Sequence, residues 1–425
     1  MDVPTHSIVR QDAKCVGCVA CSKACPTKAI RVRKNLMEVN PALCIDCGEC
    51  IRVCQYDAVK VTTSSPADLK RFKYTVAVPS MALHTQFGKD VYPGQVAAAI
   101  RQVGFDTNYD GSLVCPMVSR AIDTYLSECQ GPWPKISVTC PAVLRLILNR
   151  YPDLIPNLVP IHTPREMTAK LARRQLSARL GLAPEDIGIF YITPCSAIMQ
   201  SILRPVGVDA SYFDGAFSVA ELYGPLLKAI RTGADVPDFT YSPAGLQWAV
   251  AGGCVGGMRN ANTLSVSGVK DVTEFFDNIE KGKFQSVDFV EAYICPDGCV
   301  SGPLLVEERY AASQTLRRVL AHATGNGAVE EEKVRALFRQ HFFDLEAEIH
   351  GRQVAPVASD LQQAIRRRQE KQQLLEQLPH KDCAACGAPD CPTLANDIVD
   401  GRATLTDCVF LRLTELESAA KEKAK

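Results

Sequence analysis

The middle of the chain alternates between short apolar runs and amphipathic stretches. Residues 74–80 (YTVAVPS) are an unbroken apolar run, and residues 93–104 (PGQVAAAIRQVG) carry apolar side chains at helical spacing up to Gly104. Alternation of buried strands with helices predicts an α/β domain with largely parallel sheets and flanking helices. Further strand-like runs lie at 135–143, 187–195, 246–253 and 288–298. We expect this domain to cover residues 70–320.

The regions on either side of this domain differ from it in composition and in their pattern of polar and apolar residues. Residues 1–62 are dense in cysteine and contain two similar blocks, each followed by a short β-branched stretch. Beyond the domain, two highly charged helical patterns at 329–350 and 358–378 predict a connector over 329–378. A third cysteine group lies within 379–412. The sequence therefore predicts four regions along the chain.

Composition narrows the class of protein. The 425 residues carry 47 basic and 47 acidic side chains, so the formal net charge is zero and no nucleic-acid partner is expected. The N-terminus lacks the apolar segment of a signal peptide, and no apolar run reaches the roughly 20 residues of a membrane span. Nineteen cysteines without an export signal predict reduced, metal-bound thiols in the cytoplasm.

Two N-terminal cysteine blocks share the spacing C-x₂-C-x₂-C-x₃-C, which is the ligand pattern of two cubane clusters in a bacterial-type ferredoxin. In that pattern the fourth cysteine of each block binds the other cluster. The predicted ligand sets are Cys15, Cys18, Cys21 and Cys54 for one cluster, and Cys44, Cys47, Cys50 and Cys25 for the other. A disulfide framework would need an oxidising compartment, which nothing in the sequence indicates. The region 1–62 is therefore predicted to be an α+β domain with two [4Fe-4S] clusters.

The third cysteine group has the spacing C-x₂-C-x₄-C-x₁₆-C, formed by Cys383, Cys386, Cys391 and Cys408. Four cysteines in tight loops can bind either a tetrahedral zinc ion or a cubane. The C-G-x-x-x-C core and the A-x-x-I-x-x-G stretch after it resemble the small iron–sulfur domain in the B subunit of Rnf-type electron-transport complexes. The resemblance implies a further [4Fe-4S] cluster on these four residues.

Four more cysteines follow predicted strands of the middle domain. Cys140 lies in V-T-C-P-A-V, Cys195 in I-T-P-C-S-A-I, and Cys295 and Cys299 share C-P-D-G-C-V-S-G-P. Open α/β sheets build their sites beyond the carboxyl ends of strands. An isolated cysteine is usually an inert core residue. Three Cys-Pro or Pro-Cys pairs in such places together predict a site.

These segments resemble the three signature segments of the iron-only hydrogenase catalytic domain, and residues 79–88 and 104–115 are similar to its opening. The resemblance implies a cubane on Cys140, Cys195, Cys295 and Cys299. It also implies that Cys299 bridges to a diiron unit with carbonyl and cyanide ligands, where protons are reduced or dihydrogen is oxidised. With the two flanking iron–sulfur regions, the resemblance covers nearly the whole chain.

The chain departs from the productive pattern of that family at several positions. Thr139 stands where those members have a proton-donating cysteine, and an alcohol transfers a proton near neutral pH far less readily than a thiol. The other departures are Ile198 for a cyanide-gripping lysine, Ser201 for a relay carboxylate, Tyr293 for a methionine, and Ser301, Gly302 and Pro303 for a glycine triplet. They resemble the sensory or otherwise non-prototypical branches of the family, and they predict slow turnover.

We therefore expect a hydrogenase-like iron–sulfur redox protein with slow, reversible dihydrogen chemistry in H₂ or redox sensing. Its expected partners are a ferredoxin, a flavoprotein or a signalling protein, with H₂ and protons as substrates. One alternative is an electron-transfer subunit that carries only [4Fe-4S] clusters. Another is a hydrogenase-like iron–sulfur assembly scaffold, but that family ends in a tryptophan, whereas Trp133 and Trp248 are internal.

Some residues give weaker signals. Cys254 lies in a glycine-rich turn that either lines the site or serves packing. Cys115 and Cys129 are expected to be core thiols. Ser80 and Met81, in the segment that resembles the opening of the hydrogenase domain, are candidates to face the diiron pocket.

Overall fold

The computed structural model describes residues 5–233, 240–259, 261–322, 330–351 and 361–423. The chain forms two compact units, the first comprising Met1–Ser7, Ile45–Cys47 and Thr62–Gly351, and the second Ile8–Cys44, Gly48–Val61 and Arg352–Lys425. The strands are β1 (Ile8–Arg10), β2 (Ile30–Arg33), β3 (Leu36–Val39), β4 (Val59–Val61), β5 (Tyr74–Pro79), β6 (Thr107–Asn108), β7 (Lys135–Ile136), β8 (Ile187–Thr193), β9 (Gly215–Ser218), β10 (Thr263–Ser267) and β11 (Phe289–Tyr293). The helices are α1 (Ala20–Ala24), α2 (Glu49–Arg52), α3 (Pro66–Leu69), α4 (Pro93–Gln102), α5 (Cys115–Glu128), α6 (Pro141–Arg150), α7 (Pro164–Leu180), α8 (Ser196–Leu203), α9 (Val219–Thr232), α10 (Pro243–Leu246), α11 (Val269–Glu280), α12 (Arg309–Ala321), α13 (Glu331–Arg339), α14 (Leu361–Gln377), α15 (Cys391–Val399) and α16 (Val409–Lys423).

The first unit contains a parallel sheet of order β6-β5-β8-β9. Every residue of β8 is buried, as expected for a parallel strand that is covered on both faces. Phe190 of this strand packs with Phe105 and Phe217, and Ile100 of α4 and Leu226 of α9 belong to the same core. This sheet therefore provides a rigid support for the loops that follow its strands.

A second parallel sheet, of order β10-β11-β7, lies in the same unit. All five residues of β11 are buried. Val143 and Ile147 of α6, Phe276 of α11 and Val290 of β11 share one apolar core. The α/β class with largely parallel sheets, predicted from the alternation of strands and helices, is confirmed.

Some predicted elements were wrong. Residues 246–253 were expected to form a strand but form the end of α10 and a short 3₁₀ turn at Gln247–Ala249, because a short apolar run looks the same whether a strand or a buried turn carries it. The run at 135–143 is a strand only at β7, since Pro141 begins a helix. Within 330–351, only α13 is helical, and the chain turns at His341 with a φ of 55°. Of the predicted helix 358–378, residues 358–360 lie outside the described residues.

The second unit combines the N-terminal region with the C-terminal helices. Strand β1 pairs with β4, and β2 pairs with β3 in a hairpin, both antiparallel. A small core of apolar and cysteine side chains lies beneath them. Helices α14 and α15 share a separate core around Leu378, Leu394 and Ala395.

A buried carboxylate anchors the loop 45–47 within the first unit. Both carboxylate oxygens of Asp46 accept hydrogen bonds. Its Oδ1 accepts from the backbone N of Ser7 at 2.7 Å and from Oγ of Ser7 at 2.8 Å. Its Oδ2 accepts from Nη1 of Arg145 at 2.5 Å. The Asp46 carbonyl accepts from Oγ of Ser196 at 2.6 Å. The side chains of Asp46 and Arg145 are 0% and 3% exposed, so each charge depends on the other for its stability.

We expect Asp46→Ala to lower the free energy of unfolding by about 3–5 kcal/mol, because it leaves the Arg145 guanidinium buried without its counter-charge. Urea titration of the anaerobic protein, followed by far-ultraviolet circular dichroism, measures the change. The matched control is Asp186→Ala, which removes an ion pair to Lys73, whose side chain is 69% exposed. That loss is expected to cost less than about 1 kcal/mol. Equal losses in the two variants would contradict the assigned role of Asp46.

Candidate iron–sulfur and catalytic site

Four cysteines that are distant in sequence line a single cavity in the first unit. Cys140 precedes α6, Cys195 precedes α8, and Cys295 and Cys299 follow β11. All four side chains are partly buried and belong to the walls of this cavity. The structure therefore brings together the four residues that the sequence predicted as one ligand set.

Glycines allow the cysteine loops to approach one another. Gly298 has a φ of 90°, and a Cβ there would lie 2.4 Å from the backbone N of Ala251. A Cβ on Gly302 would lie 2.3 Å from the carbonyl oxygen of Pro194, the residue before Cys195. Only glycine avoids both clashes, so the loop of Cys299 can pack directly against the loop of Cys195.

The cavity disfavours free thiolates. Burial, followed by the charge of Cys140, raises the pKa of Cys195 to about 12. Burial also raises the pKa of Cys299 well above its usual value, and the nearby sulfurs of Cys195, Cys140 and Cys295 add to that effect. Burial and the neighbouring negative charges therefore favour protonated thiols at Cys195 and Cys299 until a cationic group binds. Four convergent sulfurs of this kind fit an iron–sulfur cluster.

The cavity has further walls besides the four cysteines. About 820 Å³ in and in front of the cavity is free of protein atoms, with open solvent at its mouth included. Its other walls include the segment 78–82 at the end of β5, the buried Trp248, and Thr168 of α7. Ser80 and Met81 therefore line the cavity with the cysteines. Trp248 was missed as a lining residue because its segment was taken for a strand.

Thr139 lines the cavity beside the first cysteine, and its hydroxyl is tied to a local turn. The Oγ of Ser137 donates a hydrogen bond to Oγ1 of Thr139 at 3.0 Å. The same Ser137 Oγ accepts a hydrogen bond from the backbone N of Thr139 at 3.2 Å. Ile198 also lines the cavity with an apolar side chain. Ser201 is not among the lining residues, and its Oγ donates to the carbonyl of Ile198 at 2.8 Å.

Arg165 brings a positive charge to the cavity that the sequence analysis did not identify. It follows Pro164 in the first turn of α7, and its Nη1 donates to the carbonyl of Thr139 at 2.9 Å. Its Nη2 lies 3.5 Å from Oγ of Ser201. Within the described part of the chain, its buried Nε has no hydrogen-bond partner. A guanidinium held here can bind an anionic group inside the cavity.

A buried carboxylate organises the glycine-rich turn under the site. Glu291 of β11 accepts hydrogen bonds from the backbone N of Gly252, Cys254 and Val255 at 3.1, 3.2 and 3.3 Å. Burial raises the pKa of Glu291. Cys254 is buried but is not among the cavity-lining residues, so packing is the role its position supports. Cys115, expected to be a core thiol, is buried and also lines the cavity.

The N-terminal cysteines occupy the second unit, except for Cys47. One cavity there is lined by the whole of one predicted ligand set, namely Cys15, Cys18, Cys21 and Cys54. Burial and the neighbouring sulfur of Cys18 raise the pKa of Cys21 to about 11. The cysteines of the other set in this unit, Cys25, Cys44 and Cys50, belong to the core of the same domain. Cys47 lies on the loop 45–47 of the first unit, and its place in that set stays a prediction.

The C-terminal cysteines also lie together. Cys391 and Cys408 are buried in the core of this domain, and Cys386 packs against them. Burial raises the pKa of Cys386, and the sulfurs of Cys383 and Cys408 contribute to the shift. No three His, Cys, Asp or Glu side chains among the described residues are arranged to bind a single metal ion. A cubane holds its thiolates at separate corners, further apart than the ligands of one ion.

Family models match three of the four predicted regions. The model of the iron-only hydrogenase large subunit, C-terminal domain, matches residues 73–259 and 249–303. A 4Fe-4S dicluster domain matches 7–55, and an Fe-S cluster domain matches 378–410. None of the helices in the described residues has both the length and the apolar character needed to cross a membrane.

Two proteins with similar sequences are named as hydrogenases. The chain is 26% identical over 383 residues to the periplasmic [Fe] hydrogenase large subunit of Nitratidesulfovibrio vulgaris, covering 74% of this chain and 91% of that one. It is 23% identical over 263 residues to iron hydrogenase 1 of Clostridium pasteurianum, covering 51% of this chain and 46% of the relative.

A solved structure agrees on the fold. A variant of the [FeFe]-hydrogenase HydA1 from Chlamydomonas reinhardtii superposes with a TM-score of 0.50 at 17% identity, covering 67% of this chain and 98% of the other. The hydrogenase model spans residues 73–303, which is over half of the chain, and it contains all four cavity cysteines. This protein therefore belongs to the iron-only hydrogenase large-subunit family, and it joins that domain to a 4Fe-4S dicluster domain and a C-terminal Fe-S domain.

Proposed function

We propose that this protein carries out slow, reversible dihydrogen oxidation and proton reduction in H₂ or redox sensing. The observation that carries the proposal is the lining of a single cavity, in which the four cysteines share the walls with segment 78–82 and Trp248. Four thiolates are enough to hold a cubane, and a diiron unit would then lie against the other lining residues of the cavity. The cytoplasm as location, and a ferredoxin, flavoprotein or signalling protein as redox partner, belong to the same proposal.

The residues that line the cavity would have distinct roles in binding the two metal groups. Cys140, Cys195 and Cys295 would hold the cubane, and Cys299 would hold it while bridging to the diiron unit. That unit, when bound, supplies the metal at which dihydrogen is split or formed. Trp248 and Met81 line the same cavity with apolar side chains, which would limit the access of water to the diiron unit.

Electrons would reach the cubane from the N-terminal clusters. The carbonyl of Asp46 accepts a hydrogen bond from Oγ of Ser196, which follows Cys195. Asp46 precedes Cys47, a predicted ligand of a ferredoxin cluster. The two predicted ligands Cys47 and Cys195 are thus connected through two short backbone segments and one hydrogen bond of 2.6 Å. This arrangement supports electron transfer between the clusters they would hold.

Proton movement would limit the rate. The position beside the first cubane ligand carries the hydroxyl of Thr139, which gives up a proton far less readily than a thiol. The proton would then leave or arrive through water rather than through a positioned acid. A sensor tolerates such slow exchange, whereas a bulk producer of hydrogen does not.

A second candidate function is electron transfer alone, with four cubanes and no diiron unit. The observation in its favour is Ile198, which presents an apolar side chain to the cavity where productive members of the family are expected to have a lysine. Carbonyl ligands distinguish the two candidates directly.

Infrared spectroscopy of the anaerobic protein, loaded with a synthetic diiron precursor, tests the main proposal. We expect carbonyl and cyanide stretching bands that shift under dihydrogen, and their loss in Cys299→Ser. Cys129→Ser is the matched control and should keep the bands, because Cys129 lies away from the cavity and its Sγ is 3.9 Å from the carbonyl of Leu126. If the wild type shows no bands while electron paramagnetic resonance detects its cubanes, the electron-transfer alternative is correct.

Thr139→Cys should raise dihydrogen turnover by about 10²-fold or more, because a positioned acid–base group typically contributes 10²–10⁴-fold. Methyl-viologen-coupled hydrogen evolution by the loaded protein measures the rate. Thr168→Cys is the control, since it adds a thiol to the same cavity from α7 rather than from the residue before the first ligand, and it should not raise the rate. An equal rise in the two variants would show that thiol position is unimportant and would refute the assigned role of Thr139.

Arg165→Met should shift the cyanide bands to lower wavenumber, because the variant removes the cationic donor that we place beside the cyanide ligands. The infrared bands report this directly, whatever the turnover. Arg165→Lys keeps a positive charge and should give a smaller shift. Cyanide bands that stay unmoved in Arg165→Met would mean that this guanidinium does not contact the diiron ligands.

A further inference from the structure

Within the second unit, one buried carboxylate of the C-terminal domain binds arginines of the N-terminal hairpin. Asp397 of α15 is 1% exposed, and it forms a two-pronged pair with Arg31 of β2, in which Nη2 donates to Oδ1 at 3.0 Å and Nε donates to Oδ2. Arg33 of the same strand donates to Oδ2 at 3.3 Å. Arg402, from the C-terminal domain itself, lies 3.2 Å from Oδ1. Planar, bidentate pairs of this kind fix orientation as well as supplying attraction.

A second ion pair lies at the start of the same helix. Asp390 caps the N-terminus of α15, where its side chain accepts from the backbone N of Thr393 at 2.8 Å. The same carboxylate pairs with Nζ of Lys28, which precedes β2. Helix α15 is therefore held near both of its ends, by Arg31 and Arg33 of β2 and by Lys28 just before that strand.

The backbones of the two segments are also in contact. The carbonyl of Gly387, which lies between Cys386 and Cys391, accepts a hydrogen bond from the backbone N of Val32 at 2.9 Å. Gly387 has a φ of 83°, and a Cβ there would lie 1.8 Å from the carbonyl oxygen of Val32. No residue with a side chain fits this approach unless the loop moves away.

This contact lies next to the cavity of one N-terminal ligand set. Val32 is part of the wall formed with Cys15, Cys18, Cys21 and Cys54. Oγ of Ser22, the residue after Cys21, lies 3.4 Å from the carbonyl oxygen of Gly387. Cys386 and Cys21 are therefore linked through the neighbouring residues Gly387 and Ser22 and one hydrogen bond.

We propose that the C-terminal domain is a docked electron port for the N-terminal cluster on Cys15, Cys18, Cys21 and Cys54. One electron passes between the two clusters: the C-terminal [4Fe-4S] cluster is oxidised from 1+ to 2+ as the N-terminal cluster is reduced from 2+ to 1+, or the reverse. Asp397 and Gly387 hold the two domains at the separation that allows this step. A one-electron donor or acceptor protein supplies or removes the electron at the C-terminal cluster. The proposal rests on cubane binding by these cysteines and does not need the diiron unit.

Electron paramagnetic resonance of the fully reduced holoprotein tests the port. Two reduced clusters that are close together broaden or split each other's signals. We expect this interaction in the wild type beyond that in Cys408→Ser, which lacks one ligand of the C-terminal cluster. Gly387→Ala should lose the additional interaction and also lose hydrogen-exchange protection at the backbone N of Val32, while keeping the wild-type iron content.

Gly401→Ala is the matched control. Gly401 has a similar φ of 69°, in the same domain, but a Cβ there would meet nothing within 4 Å. This variant should keep both the magnetic interaction and the protection at Val32. Asp397→Asn is a second test that preserves side-chain shape, and it should weaken both signals because it removes the charge facing Arg31 and Arg33.

Each result decides the proposal. If the wild type has full iron content but no additional interaction, the electron port is refuted. If Gly387→Ala keeps the full interaction, the Gly387 contact does not position the cluster and the proposed docking is wrong. If the C-terminal cysteines hold no iron while Val32 is protected in the wild type and not in Gly387→Ala, the docking is correct, and it is the cluster assignment and the electron step that fail.

Discussion

Parallel strands that end at the same edge of a sheet are the constraint on which the site depends. Strands β5 and β8 are neighbours in one parallel sheet, and β7 and β11 are neighbours in the other. Each of the four is followed by a loop that lines the cavity, and three of those loops carry the cysteines. The sheets bring the loops together, but their closest contact also requires a backbone position without a side chain. At Gly302 a single added carbon would collide with the loop of Cys195.

Two buried carboxylates perform the same physical task at different places. Asp46 precedes a predicted cluster ligand and binds Arg145, while Asp397 follows Cys391 on one helix and binds Arg31. A buried charge cannot move away from its partner without a large loss of stability. Each pair therefore fixes a cysteine loop more firmly than apolar contacts, which tolerate sliding. Electron transfer depends steeply on the distance between clusters, so this kind of rigidity favours it.

The sequence was informative where chemistry depends on local spacing. The ferredoxin blocks are defined by the separations of their own cysteines, and β5 and β8 by unbroken apolar runs. The sequence was uninformative where a residue's contact partner lies far away along the chain. Nothing near Arg165 indicates that α7 would carry it into the cavity, and nothing near Asp397 indicates Arg31, which is 366 residues away. The run at 246–253 failed for another reason, since burial alone does not distinguish a strand from a packed turn.

The polar groups of the cavity are redistributed rather than simply lost. Ile198 and Thr139 remove a cation and a proton donor from the positions expected in productive relatives, yet Arg165 returns a cation by way of α7 and contacts the carbonyl of Thr139 itself. A fixed charge that does not titrate near neutral pH can hold an anionic ligand, but it cannot relay protons. Under the proposed function, the cavity would bind a charged group through Arg165 and would move protons slowly, because the hydroxyl of Thr139 is a poor proton donor. Binding without fast turnover is what the proposed sensing role requires.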